Sequence, residues 1–595
     1  MEKVVRIGCP SGFWGDSAIG AIQLVERADV DYLMLDYLAE VTMSILAQAR
    51  AKDESFGYAR DFVTGAMSDT LEAVAAKGIK VVTNAGGVNP ASCARALEAL
   101  CKTRGVTLRI ATVEGDDITP LAAALRGADV REMYSNERLP ETLVSANAYL
   151  GAGPIAAALD AGADVVITGR CVDSAMALGV LIHEFGWRLD DWDRMAAGSL
   201  VGHVLECGAQ TTGGLHTDWE VVPDWADIGY PIAECRADGS FVLTKPDGTG
   251  GLVTPATVAE QMLYEIGDPA SYLLPDVTAD FADVTLTQAG SDRVVASGAR
   301  GRPPGTQYKA SCTYEEGWRA VASLTIIGPD AVRRAERSAE AILARVRSLF
   351  ARAGHADFTA TEVSILGAES IYGPHGRVRN VREVVMRIAV AHDNRDALEI
   401  FAKEIAPAGT NYAAGTTGYA GGRPKPQRIV RLFSLLIDKA ALAPPVVTLD
   451  GERVATAPSL RGNAPPMTPE RPTPTVEPEA GPTVEVPLIR LAWGRSGDKG
   501  DKANVAIIAR APWIVPVLRR ELTAERMKAW FAHLVDGDVE RFEAPGIGAF
   551  NFVLDRALGG GGMASLRNDA QGKSYAQIAL DIPVAVPADR AAALA

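Results

Sequence analysis

The chain has 595 residues, 48% of them hydrophobic, too many for one ordinary core, so two or more domains are expected. Its formal net charge of −15 argues against nucleic acid or an anionic membrane as a partner. Seven scattered cysteines, an odd number without close pairs, argue against a disulfide framework or a zinc finger and fit a reducing compartment. No signal-peptide pattern and no bilayer-length apolar run is present, so the expected location is the cytoplasm.

Within the first 175 residues, five hydrophobic segments (4–7, 32–35, 80–83, 108–113 and 165–168) each run into a short polar turn, mostly with glycine. Helical patterns at 16–27 and 90–102, the second with Pro90 in its first turn, make these segments parallel strands with crossovers. The predicted class is α/β: an N-terminal, mostly parallel sheet with crossover helices, an α+β middle lobe and a C-terminal α+β domain. Residues 176–270 form a glycine-rich region. From about 280 the pattern changes: a strand at 321–327 precedes an amphipathic helix with Ala339, Ile342, Leu343, Val346, Leu349 and Phe350 on one face. Together 1–455 form the main domain. Repeated prolines make 456–486 an extended linker. Beyond it, 487–595 is a small ferredoxin-like unit with strands at 487–493, 505–509, 550–554 and 576–582, and a helix carrying Met527, Trp530, Phe531 and Leu534.

Ligands of a parallel sheet bind beyond the carboxyl ends of its strands, so the polar turns there are candidate site residues. The first is Gly8-Cys-Pro-Ser-Gly12-Phe-Trp-Gly15-Asp16. With Asp36 closing the next strand it invites a dinucleotide reading. The glycine spacing departs from that fingerprint, however, and Phe13-Trp14 fill the place of closest approach, so a turn offering N–H groups to another anion is preferred. Asp36 and Glu40 share a face if a helix begins there, and Asp116-Asp117 end another strand. Such carboxylates serve as general acid and base, hold a divalent cation, or merely cap helices. Asn84 opens the turn that carries Gly86 and Gly87. Arg170 either pairs with Asp173 or grips a carboxylate or phosphate with its planar fork. His203, Glu206 and Cys207 suggest a thiol nucleophile, but a buried, inert Cys207 is preferred, leaving Glu206 as a proton carrier.

Three further loops are candidate anion contacts. Lys245-Pro-Asp-Gly248-Thr-Gly250-Gly251 combines an ammonium with successive N–H groups, or is an ordinary Pro-Asp-Gly turn. Arg495-Ser-Gly-Asp498-Lys499-Gly-Asp-Lys-Ala-Asn504 has more charge than a hairpin turn needs. The run 559–562, containing Gly560 and Gly561, suggests close backbone approach or a mobile lid. The histidines show no metal-ligand spacing.

These strand-end motifs, with Glu206-Cys-Gly-Ala-Gln-Thr-Thr-Gly213-Gly214 and Lys245–Gly251, resemble the acyclic terpene utilisation AtuA family. The 495–504 and 558–562 segments resemble its C-terminal ferredoxin-like domain. The resemblance implies catabolism of citronellol, geraniol and related branched acids, which proceeds through coenzyme A thioesters. The expected function is therefore acid–base chemistry on an acyl-CoA, as a hydratase/lyase or thioester hydrolase. Asp36, Glu40, Asp173 or Glu206 would move the proton, and N–H groups at Gly86-Gly87 or Gly213-Gly214 would stabilise an oxyanion. The rivals are an NAD(P)-dependent dehydrogenase and a non-catalytic binding subunit. A small acyl-CoA or branched acid is the expected partner, with a homo-oligomer, and without nucleic acid or membrane.

Overall fold

The computed structural model describes residues 3–378, 380–418, 422–456, 481–592 and 594; most of the proline-rich linker lies outside them. In chain order the first strands are β1 (Val4–Ser11), β2 (Tyr32–Leu35), β3 (Lys80–Thr83), β4 (Ile110–Glu114), β5 (Ser145–Ala148) and β6 (Val165–Thr168). All but β5 lie parallel in one sheet, in the order β1-β2-β3-β6-β4. Antiparallel strands extend that sheet on both sides, to eleven in all. β7 (Ile232–Arg236), β8 (Phe241–Thr244), Arg293–Ser297 and Thr285–Gly290 continue from β1, and Val446–Leu449 with Glu452–Val454 continue from β4.

The central strands are covered on both faces, which is why they read as continuous apolar runs. Alternation still sorts the side chains. Tyr32, Met34, Val82, Ala111 and Val166 join one core, with helices Gly153–Asp160, Ala175–Phe185 and Trp192–Leu205. Leu33, Leu35, Val81, Ile110, Val165 and Ile167 join the other, with Ile19–Arg27, Ser68–Lys77 and Pro90–Arg104. The last helix begins where its signals lie: Asn89 accepts the Ser92 N–H, Pro90 occupies the first position, and Gly105 ends it at φ 67°.

Between β8 and the middle-lobe sheet, 285–297 adds two strands to the first sheet, while Tyr272–Leu273, Thr278–Asp280 and Arg300–Arg302 form a small three-stranded sheet of their own. The middle lobe is built on the long strand Gln307–Ile327, flanked by Glu383–His392 and Gln427–Asp438, with Ala360–Leu366 beyond. β5 also pairs with this strand, through Ala310–Ala148 to Thr313–Ser145. One strand therefore ties the lobe to the parallel layer. The expected amphipathic helix, Ala331–Ala353, covers the lobe with Ala339, Ile342, Leu343, Val346 and Phe350 buried.

The C-terminal domain is ferredoxin-like, with four antiparallel strands in the order Ala492–Lys499, Lys502–Ala509, Ala549–Leu554, Val539–Ala544. The charged segment 495–504 is not a loop: it forms the arms and tip of a hairpin turning over Gly500 and Asp501. Nor is 576–582 a strand. Residues Tyr575–Ala579 are helical and the strand follows at Pro583–Pro587, a short apolar run having no period that separates the two. The domain packs tightly on the first: Ala506, Ile508, Ala544 and Ala549 belong to the main core. Asn504 and Asn551 donate to the Leu263 and Ile266 carbonyls (2.7 and 2.9 Å), and Arg510 grips both oxygens of Asp218 (2.5 and 2.6 Å).

Candidate functional site

At the carboxyl ends of β2 and β3, Asn84 donates its amide to Asp36 Oδ1 (2.7 Å) and accepts the Tyr37 N–H (2.8 Å). Both side chains are buried. Burial and then the nearby Asp173 push the Asp36 carboxyl well up, partly opposed by the Asn84 amide and Arg170. After β6, Arg170 pairs with Asp173 (2.5 Å) and stacks over Tyr149, 4.3 Å from guanidinium to ring centre. Burial disfavours its charge, but Asp173, Tyr149, Glu40 and Asp36 outweigh that. Of the two readings of Arg170, the pair with Asp173 is present, and Tyr149, Glu40 and Asp36 also surround the guanidinium.

Glu40 is the first residue of helix Glu40–Lys52, so Asp36 lies before that helix rather than on it. Tyr149 donates to Glu40 Oε1 (2.6 Å) and sits 3.1 Å from the Ser311 hydroxyl, and Lys309 Nζ is 3.9 Å from Glu40. Burial alone would raise the Glu40 carboxyl; Lys309, Arg170, Lys499 and Tyr149 overcome it and bring it down to about 2. Glu206, ending helix Trp192–Leu205, behaves oppositely. Its Oε1 lies 3.2 Å from His203 Nδ1, yet burial pushes the carboxyl up, against His203 and with help from Asp173.

The fourth wall comes from the C-terminal hairpin. Lys499 reaches Glu265 (3.7 Å), while Lys573 reaches Glu265 (3.1 Å) and Asp498 (3.3 Å) and bonds the Tyr264 hydroxyl. Burial disfavours the Lys499 ammonium, but Glu265, Tyr272, Glu40 and Asp173 more than restore it. Burial and then Glu265 push the Asp498 carboxyl to about 6. Lys499 keeps 43% of its side chain exposed and Glu40 keeps 27%, so the cluster reaches solvent at these two groups, and that opening is the candidate crevice. Asp36, Glu40, Asn84, Arg170, Asp173, Glu206, Asp498 and Lys499 therefore form one neighbourhood. Tyr149, Lys309, Glu265 and Lys573 belong to it and were missed from sequence. Tyr149 had a signal, the glycine-containing turn after β5; Lys309, near the start of a long strand, had none.

Other motif residues serve the scaffold. Asp116 accepts the Arg170 N–H (2.9 Å) and the Asn147 amide (2.8 Å), holding the Arg170 turn from behind, and burial pushes its carboxyl to about 6. Its neighbour Asp117 accepts the Thr119 N–H (2.8 Å). Among the described residues, no group of three or more His, Cys, Asp or Glu is arranged to hold a metal ion. Gly12 donates to Asp16 and lies against Cys207, whose carbonyl carbon would be 2.7 Å from any added Cβ. The Gly12 N–H is thus engaged within the turn, and Gly15 sits at φ 101°, a conformation open to glycine. Gly86 abuts the Thr168 carbonyl, and the Gly87 and Gly214 N–H groups are spent on Asn84 and Ala209. Gly213 packs on Val222, and two of the four expected oxyanion donors, Gly87 and Gly214, are engaged in their own turns. Lys245 bonds the Thr249 carbonyl (2.9 Å) and pairs with Asp292 (3.2 Å). Gly248 sits at φ 71°, and Gly250 and Gly251 donate to the Asp227 and Pro223 carbonyls, so these two N–H groups are engaged within the fold. Gly560 donates to Asp501 (2.9 Å) and Gly561 packs on Gly500, bracing the hairpin tip beside Lys499. Burial, then Glu206 and Glu265, push the Cys207 thiol far up, against a thiolate nucleophile.

No helix among the described residues is long and apolar enough to cross a membrane. No curated protein and no solved structure matches the chain. Two family patterns do: that of Acyclic terpene utilisation family protein AtuA over residues 5–448, and that of the AtuA ferredoxin-like domain over residues 486–585. The chain therefore belongs to the acyclic terpene utilisation AtuA family, which links it to the use of acyclic terpenes.

Proposed function

We propose that the crevice is an acid–base site acting on a branched acyl-CoA thioester, as a hydratase/lyase or a thioester hydrolase. The observation that carries this reading is the meeting of Arg170, Lys309 and Lys499 with the oppositely tuned Glu206 and Glu40 in one crevice. Two carboxyls whose surroundings push them apart can divide acid and base work. Glu206, favoured in its neutral form by burial, is the group to hold a proton and deliver it to the reacting carbon or leaving group. Glu40, kept ionised, anchors Tyr149 and the cations around it. Arg170 and Lys499 would stabilise negative charge developing on a thioester oxygen, replacing the backbone donors expected from sequence. Water supplies the added or attacking oxygen in either reaction.

The test is turnover of branched saturated and enoyl-CoA thioesters by the purified full chain, followed as thioester loss and as hydration. Turnover abolished by Glu206→Gln supports the reading. No turnover of any thioester, with the ligands still bound, would favour a non-catalytic binding subunit.

A further inference from the structure

A second concentration of positive charge lies where the middle-lobe sheet meets the C-terminal domain. Arg319, on Gln307–Ile327, stands opposite Ala391, and Arg387, on Glu383–His392, stands opposite Ser323. Their side chains reach the same loop. Arg319 Nη1 donates to the Met563 and Ser565 carbonyls (3.1 and 3.4 Å), and Arg387 Nη1 donates to the Leu566 carbonyl (2.7 Å). Among the described residues neither guanidinium is in an ion pair, although both are half-buried. Burial holds the Arg319 guanidinium below its ordinary value. Arg387 is lowered first by burial and also by Arg319, with Glu362 opposing. Two neighbouring half-buried cations satisfied only by neutral carbonyls are unusual in a chain of net charge −15.

Among the described residues the surrounding groups form no ion pair with either one, and Glu362 offsets part of the Arg387 charge. Arg431 is paired with Glu316, and its guanidinium is 3.4 Å from where a Gly560 side chain would begin. Arg567 donates to the Leu534 and Ala557 carbonyls (2.8 and 2.5 Å) and to the Tyr575 hydroxyl. The carboxylates present are Glu316, Glu362 and Asp501, the last bonded to the Leu558 and Gly560 N–H groups. Gly559, Gly560 and Gly561 are all left-handed, at φ 66°, 97° and 86°, a path open to glycine and strained for other residues.

We propose that Arg319 and Arg387, under the 559–567 loop, form a binding site for a phosphate group of a small-molecule ligand. Planar guanidinium forks match phosphate oxygens, and charge-assisted bonds would replace the weaker ones to the loop carbonyls. The glycine run lets the loop yield to the incoming group. The site is one hairpin away from the crevice, because Gly561 packs on Gly500, the residue after Lys499. A ligand carrying a phosphate at one end and a reactive thioester at the other would meet both. That last point rests on the acyl-CoA reading; the phosphate site does not.

Titration calorimetry on the full chain at low salt would use pyrophosphate, adenosine 3′,5′-bisphosphate and inorganic phosphate, with citrate as a carboxylate control. The phosphate compounds should bind and citrate should not. Arg319→Gln and Arg387→Gln should each weaken binding about tenfold or more with the melting temperature held, and Arg319→Lys should weaken it less. Tighter binding of the bisphosphate than of inorganic phosphate would identify a nucleotide-like source, and equal binding a free anion. Should the variants be unstable, hydrogen exchange of wild-type 559–567 with and without pyrophosphate replaces them, and protection is expected. The proposal is overturned if wild type binds no phosphate compound, if affinity is the same in both variants, or if citrate binds equally well. Phosphate binding without thioester turnover would retire the enzymatic reading and leave this site standing.

Discussion

Lys499 Nζ lies 3.7 Å from Glu265 Oε2, a contact that carries a cation from the C-terminal domain into a crevice walled by the main domain. Because Glu40 and Asp173 also act on that ammonium, the small domain contributes directly to the site. Lys499→Gln should therefore reduce turnover by roughly 10²-fold or more, as for loss of one donor to a developing oxyanion, and Lys499→Arg should restore part of it. Full activity in Lys499→Gln would show that the hairpin only braces the fold. Deleting 487–595 is a poorer test, since Ala506, Ile508, Ala544 and Ala549 complete the main core. The truncated chain should aggregate instead of folding cleanly.

Glu206 and Cys207 are adjacent in sequence, but their surroundings separate them. Glu206→Gln should lower kcat by roughly 10²–10⁴-fold with little change in melting temperature. Cys207→Ser should retain most activity, because its thiol is held protonated. Measuring kcat and Tm for both, beside Glu40→Gln, decides the matter. A loss confined to Cys207→Ser would mean covalent thiol catalysis.

Asn84 satisfies a buried carboxyl that has few other donors. Asn84→Ala should lower stability by about 1–3 kcal/mol, the cost of leaving a buried polar group unsatisfied. Asn84→Asp should be worse, setting a second acid against Asp36. Thermal denaturation of the three proteins at one pH measures this directly, and an unchanged Asn84→Ala would remove Asn84 from the support of the site.

Asp116 gives a pH prediction with a definite sign. Its folded-state pKa, about 6, lies above the ordinary 3.8, so the favourable contribution of its neutral form is complete below about 3.8 and is lost as pH rises through 6. The stability advantage of wild type over Asp116→Asn should shrink between pH 4 and pH 7, by up to about 3 kcal/mol. Glu40, brought down to about 2, has the reverse sign: its contribution is present above about 4.5 and is lost as pH falls toward 2. The advantage of wild type over Glu40→Gln should thus shrink on acidification. Melting curves at matched ionic strength across pH 3–7 test both, and parallel profiles for wild type and variant would contradict them.

The five parallel strands were legible because each is an apolar run closed by a turn whose chemistry is local: Asn89 and Pro90 start a helix wherever they stand, and Gly105 ends one. Those same turns placed Asp36, Asn84 and Arg170 at one sheet edge, since strand direction alone brings parallel carboxyl ends together. What the glycines do was not legible. Gly86, Gly213 and Gly250 look like anion donors in sequence, and only the packed neighbours show that Thr168, Val222 and Asp224 occupy the adjacent space. The opposite tuning of Glu40 and Glu206 likewise depends on Lys309 at the one and on burial and Asp173 at the other, which are tertiary quantities. Lys499 and Glu265, 234 positions apart, meet because the hairpin folds onto the main domain. Sequence by itself determined the family, the parallel layer and the edge where a site would form, because periodicity and turn chemistry act over a few residues. Tertiary structure decided which polar groups are satisfied and which remain open, because desolvation and charge depend on everything packed within several ångströms, whatever its distance along the chain.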